Sequence, residues 1–147
     1  MDTNDGHIID VLREIHRKHR LKDADVSAHT KASQKITKEW QKRICNETIQ
    51  SEVKVSPKSN EKIDVVDSSK KIAYELKVSG KNTHHEFYKD IAKVLTYNEY
   101  KDEAENLNKL IFISEAKGVQ SLKGRLDSKF ITMLKNTHGI SIELVSI

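Results

Sequence analysis

The sequence predicts an α/β chain: a single mixed β-sheet with helices packed against it. Three observations carry this. The apolar period is helical at the start, turns to strand-like alternation between about residues 48 and 79, and then switches between the two. The length, 147 residues, corresponds to one domain at about 100–200 residues per domain. One proline and five glycines leave little material for long structureless linkers.

Taken in order, Ile8, Leu12 and Ile15 fall on one helical face. A polar break, Lys22 to Thr30, precedes a second helix from about Lys31 to Asn46, with Ile36, Trp40 and Ile44 at helical spacing. Thr48–Val55 then alternates, placing Ile49, Val53 and Val55 on one side of a strand. Ser56–Asn60 carries turn residues. Glu61–Asp67 and Lys70–Ser79 read as two more strands joined at Ser68-Ser69, a turn that pairs Asp67 with Lys70. Thr83 to about Tyr100 is an amphipathic helix striped by Phe87, Ile91, Val94 and Leu95, with Thr83 suited to cap it. Lys109–Ser114 is an apolar strand. Val119, Leu122, Leu126, Phe130 and Met133 mark one further helix, closed by Gly139, and Ile140–Ile147 is a last strand. The order is ααβββαβαβ. A meander followed by right-handed βαβ crossovers gives a mixed sheet covered by helices.

Composition narrows the function. Lys and Arg number 26 against 22 Asp and Glu, a net charge of +4, which permits a polyanionic partner. No apolar run approaches the ~18 residues of a membrane helix, and the residues after Met1 do not read as a signal peptide; a cytoplasmic protein without membrane association is expected. The single cysteine, Cys45, excludes an intrachain disulfide and a Cys-rich zinc site.

The chemistry concentrates in Glu61–Ser79. In the second strand of that hairpin, Ala73, Glu75, Lys77 and Ser79 share one face, because strand side chains alternate. With Asp67 opposite Lys70, Asp64 faces Ala73 and lies diagonal to Glu75, about 7–8 Å away at the backbone. Asp64, Glu75 and Lys77 then project together, and a slip of one residue would remove Asp64. Two carboxylates can anchor Mg²⁺ and leave positions for water and phosphate; the metal activates water and polarises a phosphoryl oxygen. A lysine beside them can hold the attacking water or offset negative charge.

At these residues the sequence resembles the PD-(D/E)XK nuclease superfamily, with Ile63-Asp64 followed by Glu75-Leu76-Lys77, the glutamate eleven positions after the aspartate. Ile63 stands where the motif has proline. The resemblance implies a restriction-endonuclease-like αβββαβ core, matching the order read from Lys31 to Ser114. One domain, 1–147, would hold a helical arm (1–30), the catalytic core (31–116) and an αβ extension (117–147). It implies a Mg²⁺-dependent endodeoxyribonuclease, with Mn²⁺ as a substitute, whose catalytic residues are Asp64, Glu75 and Lys77. Metal ligands would be Asp64, Glu75 and the Leu76 carbonyl, joined by Glu39 from the preceding helix or, as the weaker choice, Glu52. A restriction enzyme is the leading subtype. A junction resolvase, a repair or transposition nuclease, a toxin nuclease domain or a non-catalytic DNA-binding module are the alternatives. Two-strand cleavage calls for a homodimer, with the N-terminal helices as the free surface for pairing.

Two further groups point to DNA. Lys31, Lys35, Lys38 and Lys42 make one basic stripe at i, i+4, i+7 and i+11, and Arg13, Arg17, Lys18, Arg20 and Lys22 make a second basic stretch with His16 and His19. His84 and His85 open the helix after the catalytic strand, and Lys89 and Lys93 follow along it. Each set competes with an ordinary solvated face.

Overall fold

The computed structural model describes residues 3–22 and 29–147, with side chains for 6–19 and 32–147. The side chains of Arg20, Lys22 and Lys31 lie outside the described residues. Helices α1 (Thr3–Lys22) and α2 (His29–Ile44) precede three antiparallel strands, β1 (Ile49–Lys54), β2 (Lys62–Asp67) and β3 (Ile72–Lys77). Helix α3 (Thr83–Tyr100) crosses to β4 (Lys109–Ser114), and α4 (Ala116–Arg125) and α5 (Ser128–His138) lead to β5 (Ser141–Ser146). The strands lie in the order β1-β2-β3-β4-β5, with β3, β4 and β5 mutually parallel. The chain is therefore α/β, with a five-stranded mixed sheet, as the periodicity predicts.

The sheet separates two apolar layers. On one face Ile8, Leu12 and Ile15 of α1 and Ile36, Trp40 and Ile44 of α2 pack on Tyr74 and Ile111. Trp40 is fully buried, its indole N–H donating to the Ile8 carbonyl at 3.1 Å. On the other face Phe87, Ile91 and Val94 of α3 pack on Ala73, Leu110 and Phe112, with Leu122 and Leu134 from α4 and α5. The apolar stripe of the N-terminal helix is buried inside the chain, and Arg13 donates to the Ser146 carbonyl at 3.1 Å. Among the described residues, no helix is long and apolar enough to cross a membrane.

Three local expectations are corrected. The stretch read as one helix to Gly139 is two, because Asp127 caps a new start by accepting from the Lys129 and Phe130 N–H groups at 2.8 and 3.3 Å. Gly139, at φ 68, closes the second. Thr83 does not cap α3: the cap position is Asn82, and the buried Thr83 hydroxyl donates to the Gly118 carbonyl at 3.1 Å. The hairpin register also moves. Asp67 pairs with Ile72, not Lys70, because Asp67 Oδ1 accepts from the Ser69 N–H and hydroxyl and from the Lys70 N–H, which draws Ser68 to Lys71 into the turn. An even shift preserves the parity of the hairpin, but the strand does not keep its alternation throughout: Ile63 packs under α3 and Val65 under α1 and α2, so Asp64, Glu75 and Lys77 do not all share the one face expected.

Candidate active site

The site is built where the sheet is irregular. Pairing between β1 and β2 runs through Ser51↔Val65 and Val53↔Ile63 and skips Glu52 and Asp64 between them. Glu52 has φ 50, the left-handed region that a non-glycine residue rarely occupies. The consequence is a change of face: Ile49 packs under α1 and α2, whereas Val53 and Val55 pack under α3. This corrects the expectation of one shared side, since uninterrupted alternation holds only while the ladder does.

Asp64 sits at this break, and its backbone groups are satisfied by side chains. Its carbonyl accepts from Gln41 of α2 at 2.9 Å, and its N–H donates to Glu75 Oε1 at 2.7 Å. Its own Oδ2 accepts from the Leu76 N–H at 2.8 Å. The two-residue register shift moves Asp64 from the rung of Ala73 to that of Glu75, the step after Val65↔Tyr74. A cleft of about 280 Å³ opens here between α2 and the end of β3, lined by Gln34, Lys38, Glu52, Asp64 and Lys77 among others.

Glu75 lies behind the cleft, 1% exposed, with its carboxylate turned towards α3. There Oε2 meets the ammonium of Lys93, which also lies 3.2 Å from Asp90 Oδ1 and donates to the Lys62 carbonyl at 2.7 Å. Burial pushes the Asp64 carboxyl up to about 6; the Leu76 N–H and Lys93 act against this, while Asp90 and Glu52 add to it. Burial raises Glu75 well above the ordinary glutamate range, helped by its hydrogen bond to Asp90 and by the charges of Asp64 and Asp90. Asp90 is raised by burial too, against its bonds to Glu75 and Lys93. For Lys93, burial disfavours the charge, but Glu75 and Asp90 outweigh it and hold the group above the ordinary lysine value.

The remaining expected residues scatter. Glu39 is not at the cleft: it accepts from His19 at 2.8 Å and lies 3.8 Å from Lys18, and the His19 bond lowers its pKa. Glu52, the weaker alternative, lines the cleft beside Asp64. Of the α2 stripe, Lys38 lines the cleft, whereas Lys35 and Lys42 are exposed elsewhere on the helix. Lys93 is not a surface lysine, its side chain being 11% exposed and committed to two carboxylates. Lys89 is exposed and lies 3.7 Å from Glu61. His84 makes edge contacts with His85 and Tyr88 at ring distances of 5.4 and 5.1 Å, and Tyr88 continues to Phe130.

Sequence reading missed Gln41 and Asp90. Asp90 had a signal: it stands three residues after Phe87 and four before Val94, so it interrupts the apolar stripe of its helix. Gln41 had none, since a glutamine beside a tryptophan on a helix is unremarkable. Comparison of the chain with family models, curated proteins and solved structures gives no significant match.

Proposed function

We propose that this chain is a Mg²⁺-dependent endodeoxyribonuclease of the PD-(D/E)XK type, with restriction-type cleavage as the leading subtype. One observation carries the reading. At the break in the β1–β2 ladder, Asp64 is held by the Leu76 N–H next to buried Glu75, with Lys77 lining the same cleft. Burial and like charge make two neighbouring carboxylates costly in that place, and such cost is a mark of functional sites.

The donor set fits Mg²⁺, a hard cation that takes oxygen ligands and retains several waters. Among the described residues, no three His, Cys, Asp or Glu side chains form a ready-made metal cage; one or two carboxylates plus water and substrate phosphate are the usual provision for this ion. Asp64, Glu75 and the Leu76 carbonyl would hold it, and Glu52 is better placed than Glu39 to assist. When bound, Mg²⁺ neutralises phosphate charge and acidifies water. Lys77 orients the attacking water and offsets the charge that grows on the phosphoryl oxygens. Lys38, across the cleft, contacts a flanking phosphate. A C₂ dimer would supply the second active site for cutting both strands.

One observation favours a second reading, a non-catalytic DNA-binding module. Both oxygens of Glu75 are already engaged, one by the Asp64 N–H and one by Lys93. Incubation with plasmid and Mg²⁺ separates the two. Cleavage that is lost in EDTA and in Asp64→Ala supports the nuclease; binding to DNA without cleavage in either Mg²⁺ or Mn²⁺ overturns it.

A further inference from the structure

We infer that Lys93 is a built-in cation of this site, which holds Glu75 away from the cleft until a divalent metal displaces its ammonium to Asp90. The inference rests on the metal reading above and concerns what the metal must compete with.

The geometry supplies each part. The ammonium is shared among Glu75, Asp90 and the Lys62 carbonyl on a side chain only 11% exposed. It meets Glu75 Oε2 from α3, while Oε1 accepts from the Asp64 N–H and the Asp64 and Lys77 side chains line the cleft beside α2. A buried ammonium that leaves one partner needs another, since an orphaned buried charge costs several kcal/mol. Asp90, one helical turn before Lys93, is already in contact and remains after Glu75 departs. A second cleft of about 270 Å³, on the α3 face and lined by Glu61, Lys89 and Lys93, gives the side chain room to move.

The consequence is weak metal binding by the free protein, because apparent affinity falls with the fraction of molecules whose site is open. Calorimetric titration of the full chain with Ca²⁺, together with its thermal midpoint with and without Ca²⁺, tests this. Lys93→Met keeps the length and removes the charge; it should bind Ca²⁺ about tenfold tighter than the unaltered protein and gain more in thermal midpoint from the ion. Asp90→Asn removes the ammonium's second carboxylate and should weaken Ca²⁺ binding. A merely structural lysine would make both variants bind more weakly. Equal or weaker binding by Lys93→Met therefore overturns the inference. If Lys93→Met does not fold, Lys93→Gln takes its place and is read by the same criterion. Loss of the heat signal in Asp64→Asn places the ion at this site. If neither the unaltered protein nor Lys93→Met binds Ca²⁺, the metal reading fails and the inference with it. If binding depends on Asp64 but Lys93→Met is no tighter, only the role of Lys93 fails.

Discussion

Asp64 and Asp67 stand three residues apart on β2, and the chain surrounds them differently. Asp67 is fully buried at the hairpin end, where its Oδ1 takes three donors from Ser69 and Lys70 within the turn. Asp64 lies at the interrupted rung, with one backbone donor on its carboxylate and other acids around it. A buried carboxylate whose donors come from its own turn shapes the backbone. One that is set beside other acids is held protonated to higher pH. The difference lies in the local backbone and not in the residue type.

The comparison breaks if the two aspartates prove interchangeable. Asp64→Ala should abolish plasmid cleavage while the protein stays folded. Asp67→Ala should leave cleavage per folded molecule intact but cost about 2–3 kcal/mol in urea unfolding, since it strips a buried turn of its acceptor. The reverse result would assign function to the turn and architecture to the cleft.

Lys77 sharpens the same contrast from the other side of the cleft. Lys77→Ala should lose about 10²–10³-fold in kcat, the effect of one electrostatic group acting in the transition state, without losing Ca²⁺ binding. Near-normal cleavage by this variant would remove Lys77 from the chemistry.

Acidity gives a smaller effect of defined sign. Asp64 titrates at about 6 in the folded chain against an ordinary 3.8. A carboxyl raised by folding stabilises the protein below its unfolded value, and that contribution disappears as pH rises through the folded one. The metal-free protein should therefore lose stability between about pH 4 and pH 6, with Glu75 and Asp90, also raised, acting in the same direction. Unfolding midpoints across that range should flatten in Asp64→Asn; an unchanged slope would mean that Asp64 is not the group responsible. Glu39, lowered by His19, contributes with the opposite sign, and Asp67→Asn should leave the Asp64-dependent slope in place.

The smallest effect concerns the basic stripe. Lys38 lines the cleft and Lys35 does not. Lys38→Ala should reduce the salt slope of DNA binding by about 1, the loss of one phosphate contact, and Lys35→Ala should change it less. Equal slopes would return both lysines to solvent.

Much of this architecture was written in periodicity. The change from helical to alternating spacing and back placed the helices and strands in order, because each element buries one face and the sequence must supply apolar residues at that element's repeat. The motif Asp64, Glu75-Leu76-Lys77 was equally visible, since residues close in sequence on adjoining strands meet whenever the register has the right parity. The actual register was not visible: it depends on the Asp67 side chain enlarging the turn. Nor was the break at Glu52, whose φ of 50 is imposed by its surroundings and not by its residue type. Sequence alone determined which residues alternate and which acids and lysines are available. Tertiary structure alone decided that Glu39 pairs with His19 while Glu52 joins Asp64, that Gln41 takes the Asp64 carbonyl, and that Lys93 turns inward between Glu75 and Asp90. The reason is physical: an ionic or hydrogen-bonded partner is chosen by distance and burial across elements, and spacing along one element records neither.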